Sequence, residues 1–254
     1  MLANNQSTKM LYDQSADRWI RGEAISLSDF TARPIVLELC EPLAHLDVLD
    51  LGCGEGYCSR ELKRRGAIQV YGIDLSHGMI QAAQQQDEID NLGIQYESRC
   101  ATDLSHIEDV SFDRVLCVFL FNYLTVEQMN QCMAEVARVL RPGGKFIFSI
   151  PHPAFPYMRK PEYPFYFDIG DGGYFSQSNC KFPGRIWKRD GSWLDIQLVH
   201  KPLETYFDAL GNAGFSTMPL VRELRVTPEH IQLDPAFFQP LFDYPLHLAI
   251  QISR

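Results

Sequence analysis

Apolar positions along the chain change period in a regular alternation. Val48-Leu49-Asp50-Leu51 is a short apolar run closed by Gly52-Cys53-Gly54-Glu55-Gly56, which predicts a buried strand of a parallel sheet. A helix from about Tyr57 to Arg65 follows and stops at Gly66, a good residue just past a helix end. Val70-Tyr71-Gly72-Ile73-Asp74 predicts the second strand. Ser76 can cap a helix to about Ile89, with Met79, Ile80, Ala82 and Ala83 on its inner side. Ile94 to Ser98 alternates as a third strand, and Val115 to Phe119 is a fully apolar fourth. Thr125 and Gln128 spell a capping box for a helix with Met129, Cys132, Met133, Val136, Val139 and Leu140 on one face. That helix is expected to stop at Pro142-Gly143-Gly144, before a fifth strand from Phe146 to Ile150. Such alternation predicts an α/β fold with a doubly wound, mostly parallel sheet covered on both faces.

The flanks are less regular. Residues Met1 to about Asn5 are polar and read as loose. Tyr12, Ala16, Trp19 and Ile20 fall at helical spacing, which suits a helix on the sheet edge or a lid whose aromatics close over a ligand. A helical stretch from Leu27 to Cys40 is interrupted by Pro34. Between Pro151 and Asp190 the period is lost among Pro, Gly, Phe and Tyr. That stretch is too long for an ordinary connection and too aromatic for a disordered linker. It reads as an ordered cover over the C-terminal edge of the sheet, or as an oligomer contact. Trp193 to Val199 alternates as a strand, and a helix from Pro202 to Ala213 ends at Gly214. Phe215 to Leu220 and Leu246 to Ser253 read as the last two strands. Between them Thr227-Pro228-Glu229 opens a short helix and Pro235 to Phe238 reads as an aromatic loop. One domain over 1–254 is expected: opening helices over 1–40, a sheet core over 45–150, an insertion over 151–190 and the rest of the sheet over 191–254.

Hydrophobic content of 46% and charged content of 22% are those of a soluble globular chain. The net charge of −9 and the absence of a dense basic run disfavour a nucleic-acid partner. The seven cysteines are scattered without a CxxC pair, so free thiols in a reducing compartment are expected and no metal ligand set is assigned. No apolar signal core or bilayer-length stretch is present in the sequence, and a cytoplasmic protein without membrane partners is expected.

The glycine turn carries the first chemical signal. Gly52, Gly54 and Gly56 let the backbone approach a ligand closely, and the N–H groups of the following helix favour polar or anionic ligand groups. Asp74 ends the second strand 20 residues after Gly54, the place of a carboxylate that accepts from both hydroxyls of a ribose.

With these residues in hand the chain resembles the class I S-adenosylmethionine-dependent methyltransferases. The resemblance rests on Val48 to Gly56, on Asp74, on Thr102-Asp103-Leu104, on Phe112-Asp113-Arg114-Val115 and on Leu140-Arg141-Pro142-Gly143-Gly144, in the family's order, over about residues 45 to 150. Tyr12-Asp13, Ala16 and Trp19 look like the family's N-terminal lid. The resemblance implies a seven-stranded sheet with its last strand antiparallel, and S-adenosylmethionine as cofactor. It places the backbone of Gly52, Cys53 and Gly54 beside the methionine part and Asp74 on the ribose. It sets Leu75 and Met79 against the adenine, with Asp103 accepting from the adenine amino group between Thr102 and Leu104. Cys117 and Phe119 border the methionine end, and Tyr12 and Trp19 close the lid. A sulfonium donor has no phosphate, and the turn has no lysine. An acidic, aromatic site suits its cation.

The acceptor is less legible. Tyr123 after the fourth strand, His152 past the fifth and His200 after the insertion are the candidate catalytic groups. His45, His77, His106, His230 and His247 read as surface or structural. The aromatics of the insertion point to a bulky apolar or aromatic small-molecule acceptor, in the manner of secondary metabolism. Phe121-Asn122-Tyr123-Leu124 stands where enzymes acting on amino groups of bases carry Asn-Pro-Pro-aromatic. A monomer or homodimer is expected. Two rivals remain at this point: a nicotinamide-dependent oxidoreductase, whose G-x-G-x-x-G would need a glycine where Tyr57 stands, and a non-catalytic cofactor-binding or regulatory protein.

Overall fold

A computed structural model describes residues 2–254, with side chains from residue 8 onward; Met1, in the segment read as loose, lies outside the described residues. Helix α1 (Leu2–Asp13) occupies the rest of that segment, so its chain is helical rather than loose. Its last residue anchors it to the next layer: Asp13 accepts from Ser76 Oγ at 2.5 Å and Gly78 N at 3.2 Å. Helix α2 (Ala16–Trp19) follows. The stretch from Leu27 to Cys40 is two helices, α3 (Leu27–Thr31) and α4 (Arg33–Leu39), because Pro34 is tolerated only in the first turn of a new helix.

The principal sheet holds β1 (Asp47–Leu51), β2 (Gln69–Asp74), β3 (Gln95–Ser98), β4 (Phe112–Val118), β5 (Leu140–Pro151), β9 (Leu220–Leu224) and β10 (His247–Ser253). Their order is β3-β2-β1-β4-β5-β10-β9. The pairs within β3 to β5 are parallel, and β10 is antiparallel to β5 and β9. Strand alternation serves two cores. Leu49, Leu51, Val115, Phe146 and Phe148 face α7 (Val126–Val139) and α9 (Leu203–Asn212), with Met129, Met133 and Tyr206 in the same cluster. Val48, Leu116, Ile147 and Ala249 face the other way, with Val36 of α4 and Leu62 of α5 (Tyr57–Arg64). Helix α6 (His77–Asp90) is capped by Ser76 Oγ at 3.1 Å from Met79 N.

The stretch after β5 forms a short helix α8 (Phe155–Met158) and a second, antiparallel sheet: β6 (Phe165–Phe167), β7 (Lys181–Trp187) and β8 (Trp193–Val199). Trp193 to Val199 therefore belongs to the inserted sheet and not to the principal one; alternation identified a strand but not its partner. Leu194, Ile196 and Leu198 join Phe155, Phe165 and Phe167 in a third core under Phe237 and Phe238. Gly184 makes the close approach possible, since a Cβ there would lie 2.5 Å from Phe167 Cδ1 and 2.6 Å from Tyr166 O.

Three further boundaries move. Helix α7 ends at Val139 and Pro142-Gly143-Gly144 lies inside β5, where Gly143 N donates to Arg254 O and Arg254 N to Gly144 O, each at 3.0 Å. The strand expected over Phe215 to Leu220 runs over Leu220–Leu224 instead, while Phe215 packs on Phe146 at 5.9 Å between centroids. After α10 (Pro228–Leu233), the expected loop over Pro235 to Phe238 is a helical turn, α11 (Pro235–Phe238), whose cap Asp234 accepts from Phe237 N at 3.1 Å. Among the described residues no cysteine forms a disulfide, and Cys40, Cys53, Cys58, Cys117 and Cys132 are buried. Among the described residues no helix is long and apolar enough to cross a membrane.

Candidate active site

A cavity opens at the C-terminal ends of β1, β2 and β4, where ligands bind in open α/β sheets. At one end the glycine turn forms its floor. Gly52 N and Cys53 N donate to Ile73 O at 2.7 and 3.0 Å, which ties the turn to β2. Gly54 has φ 56° and, among the described residues, nothing within 4 Å of where a Cβ would stand, so its backbone faces open space. Asp74 Oδ2 accepts from Gly54 N at 3.0 Å and Oδ1 from Ser76 N at 2.8 Å. A carboxylate has about four acceptor sites, so some of its capacity is left for the cavity even with the Leu75 backbone as a further donor. Withdrawal from solvent pushes this carboxyl up, against the lowering pull of those two N–H donors. Deeper still, burial pushes Asp50 up to about 7 while Ser59 Oγ donates to it at 2.6 Å.

A polar basin lies beside the turn. Arg33 pairs with Asp29 at 2.8 Å, and Arg21 lies 3.5 Å from Glu55 and 4.9 Å from the Tyr57 ring centroid. Arg21, Arg33 and Glu55 all line the cavity. Tyr12 and Trp19 roof it, their rings 5.4 Å apart, and the Tyr12 hydroxyl donates to that of Tyr123. Burial pushes both phenols up. Tyr123 sits on a tight turn over Phe121–Tyr123 that is pinned from below. Lys201 Nζ donates to Phe121 O at 2.9 Å and Val199 O at 2.8 Å, and burial pushes this ammonium down to about 7.

The other end is aromatic. Phe165, Phe167, Ile186 and Ile196 of the inserted sheet face Phe119 and Pro151 across the cavity. Phe119 has φ 57°, a costly conformation for a bulky residue that recurs at functional sites. Its N–H donates to Ser149 O at 3.0 Å, and its ring meets His247 edge-on at 4.9 Å. His247 is 2% exposed, and among the described residues neither ring nitrogen has a hydrogen-bond partner. Burial pushes it down to about 3, with Arg33 and His152 adding to the effect. Leaving buried polar atoms unpaired costs about 1–3 kcal/mol each, so a phenylalanine would be the cheaper occupant for the fold alone.

Of the residues singled out by sequence, Tyr12, Trp19, Gly52, Cys53, Gly54, Asp74, Leu75, Met79, Phe119 and Tyr123 line this one cavity. Six others lie elsewhere. Asp103 is exposed and accepts from Ser105 N at 3.1 Å, while Thr102 turns to Cys100 Sγ at 3.0 Å. Leu104 and Cys117 point into the core beneath α7; Cys100, Ala101 and Val118 take the corresponding places on the cavity wall. His152 accepts from Ala154 N at 3.2 Å and lies 3.4 Å from Glu223. His200 is fully buried between Tyr157 and Tyr174, with Nε2 2.8 Å from Tyr174 O. Neither histidine lines the cavity. His247, read as surface or structural, does. The available signal was direction: the first residue of an antiparallel last strand falls at the ligand edge.

Residues 48–144 match the family described as methyltransferase domain. The ubiquinone biosynthesis O-methyltransferase of Neisseria meningitidis serogroup A is 31% identical over 144 residues, which cover 54% of this chain and 59% of that protein. The alignment thus spans less than two thirds of this curated relative. The crystal structure of an S-adenosylmethionine-dependent methyltransferase from Mesorhizobium loti superposes with a TM-score of 0.65 at 26% identity, over 87% of this chain and 96% of that one. One from Clostridium acetobutylicum shares the fold over 98% of both chains, at 16% identity and a TM-score of 0.61. With the glycine turn, Asp74 and the seven-stranded order all in place, the chain has the fold of the class I S-adenosylmethionine-dependent methyltransferases and is similar to them over residues 48–144.

Proposed function

We propose that the protein transfers a methyl group from S-adenosylmethionine to a small, bulky apolar or aromatic metabolite. The observation that carries this reading is the continuity of one cavity. It runs from Gly54 and Asp74 to Phe119, Phe165 and Phe167, so a polar nucleoside end and an aromatic end share one space. The residues present fit the cofactor. Gly54 leaves room for close approach, Asp74 keeps acceptor capacity for a ribose, and Arg33 supplies a cation for a carboxylate. Leu75 and Met79 offer apolar surface to the adenine beside Cys100 and Ala101, and Asp103 is left out of that set.

When bound, the cofactor supplies an activated methyl carbon. The chain's part is to align the acceptor and exclude water. Tyr12, Trp19 and the inserted sheet roof the space, and their aromatic faces suit a sulfonium. The name of the curated Neisseria relative supports oxygen as the accepting atom. The net charge of −9 argues against a nucleic-acid acceptor. Calorimetry with S-adenosylhomocysteine, followed by labelled-methyl transfer to a panel of aromatic metabolites, tests the reading. Absence of S-adenosylhomocysteine binding, or labelling of peptide or tRNA alone, would overturn it.

A further inference from the structure

We propose that His247 binds the acceptor's hydroxyl group and takes its proton, so that the reaction is O-methylation of an aromatic alcohol. This rests on the methyltransfer reading above and goes beyond it by naming the group that receives the acceptor.

The position is set by the fold. His247 opens β10 opposite Pro151 of β5, and its ring is held between Phe119 at 4.9 Å and Phe165 at 5.7 Å. Several other polar groups on the cavity wall have partners within the protein: Tyr12 with Tyr123, Asp74 with Gly54 and Ser76, Asp50 with Ser59, Arg33 with Asp29. Asn122 Oδ1, Arg21 Nε and Glu55 Oε1 have no hydrogen-bond partner among the described residues, but each is a lone donor or acceptor, whereas His247 presents one of each. Arg21 and Glu55 face each other. At the aromatic end the imidazole has a donor and an acceptor with nothing to meet, and buried polar groups in that state call for a ligand or a function.

The chemistry of that ligand follows from the surroundings. Burial holds the imidazole neutral, and Arg33 makes a further positive charge beside it unfavourable. The neutral ring can accept from a hydroxyl at one nitrogen and donate at the other, and oxygen is the accepting atom in the name of the Neisseria relative. A hydroxyl donates to the lone pair of the neutral ring and presents its own lone pair for attack. In the transfer the O–CH3 bond forms and the S–CH3 bond breaks with its electron pair staying on sulfur. The hydroxyl proton passes to the ring nitrogen. Because the imidazolium is unfavourable in the closed cavity, His247 gives that proton to water when product leaves.

The test uses the whole chain, its His247→Phe and His247→Asn variants, and a panel of phenols and catechols of increasing bulk with matched anilines and thiophenols. Label from the methyl donor should appear only on hydroxyl oxygen. Both variants should lose at least about 100-fold in kcat/KM, the scale of general acid–base catalysis, while S-adenosylhomocysteine affinity stays within about two-fold and thermal unfolding shows a folded protein. A second readout needs no turnover. With S-adenosylhomocysteine bound, the wild type should hold the best phenol about ten-fold more tightly than its methyl ether, and His247→Phe should lose that preference. Unchanged turnover in either folded variant, label on nitrogen, sulfur or carbon, or no product from any hydroxyl compound while S-adenosylhomocysteine binds would each overturn the assignment of His247. Failure of the wild type to bind S-adenosylhomocysteine would overturn the methyltransfer reading itself.

Discussion

Replacing Asp74 by asparagine separates its two duties. In the structure one carboxylate oxygen accepts from Gly54 N at 3.0 Å and the other from Ser76 N at 2.8 Å. Asparagine offers a single acceptor oxygen, and its NH2 group would face one of those N–H donors. One backbone donor then loses its partner, at a cost of about 1–3 kcal/mol. Part of that is offset because the carboxylate, withdrawn from solvent, no longer has to be charged. The net change in folding stability is therefore small, about 1 kcal/mol, and the melting temperature should fall by about 2–4 °C. Cofactor affinity has no such offset. The ribose hydroxyls lose charge-assisted hydrogen bonds worth about 2–3 kcal/mol, which is about 30- to 150-fold in Kd. Isothermal titration with S-adenosylhomocysteine at pH 7.5, alongside thermal unfolding, measures both. A Kd within about three-fold of wild type would refute the placement of a ribose on this carboxylate.

Asp103→Asn is the matching control: its side chain is exposed and off the cavity wall, so S-adenosylhomocysteine affinity should change by less than about three-fold, and a loss of ten-fold or more in the same titration would return Asp103 to the site. Asp50 has a folded-state value of about 7, raised from about 3.9 in the unfolded chain. Its contribution is present below about pH 4 and is lost as pH rises through 7, by at most about 4 kcal/mol. Asp50→Asn should therefore gain stability over wild type steadily between about pH 4 and 8 in urea unfolding, and a pH-independent difference would count against the raised value. Lys201→Ala deprives the carbonyls of Phe121 and Val199 of their donor. It should cost about 2 kcal/mol and lower the melting temperature by about 4–8 °C, and an unchanged melting curve would show that the Tyr123 turn stands without it.

The parallel core was legible because its signals are local. A buried strand, a glycine turn and a capping box each declare themselves within a few residues. The Thr125–Gln128 box is present as read, with Gln128 N 3.3 Å from Thr125 Oγ1 and Thr125 N 2.9 Å from Gln128 Oε1. Partnership between strands is not local. Trp193 to Val199 alternates equally well for either sheet, and only the third core of Phe165, Phe167 and Phe237 decides which. The same limit affected the site. Asp103 and Cys100 lie in one short loop, and the path of that loop, not the residue type, sends Cys100 to the cavity wall and Asp103 to solvent. His200 lies just past β8 and His247 opens β10. The difference between a histidine bonded to a carbonyl and one on the cavity wall arises from packing across 119, 165 and 247.

The late position of β10 bears on how the chain is made. Until that strand emerges, the edge of β5 that pairs with it from Lys145 to Pro151 is open, and along it lie Phe146, Phe148 and Ile150, which are fully buried once the chain is folded. An open apolar edge of this kind recruits other chains. A nascent polypeptide thus carries a finished glycine turn for some time while exposing an adhesive flank. The residue that completes the aromatic chamber, His247, arrives on the very strand that seals it. A product ending at residue 245 is expected to collect in the pellet on centrifugation of a lysate, and recovery of it as a monodisperse soluble species would show that β5 is shielded by some other means.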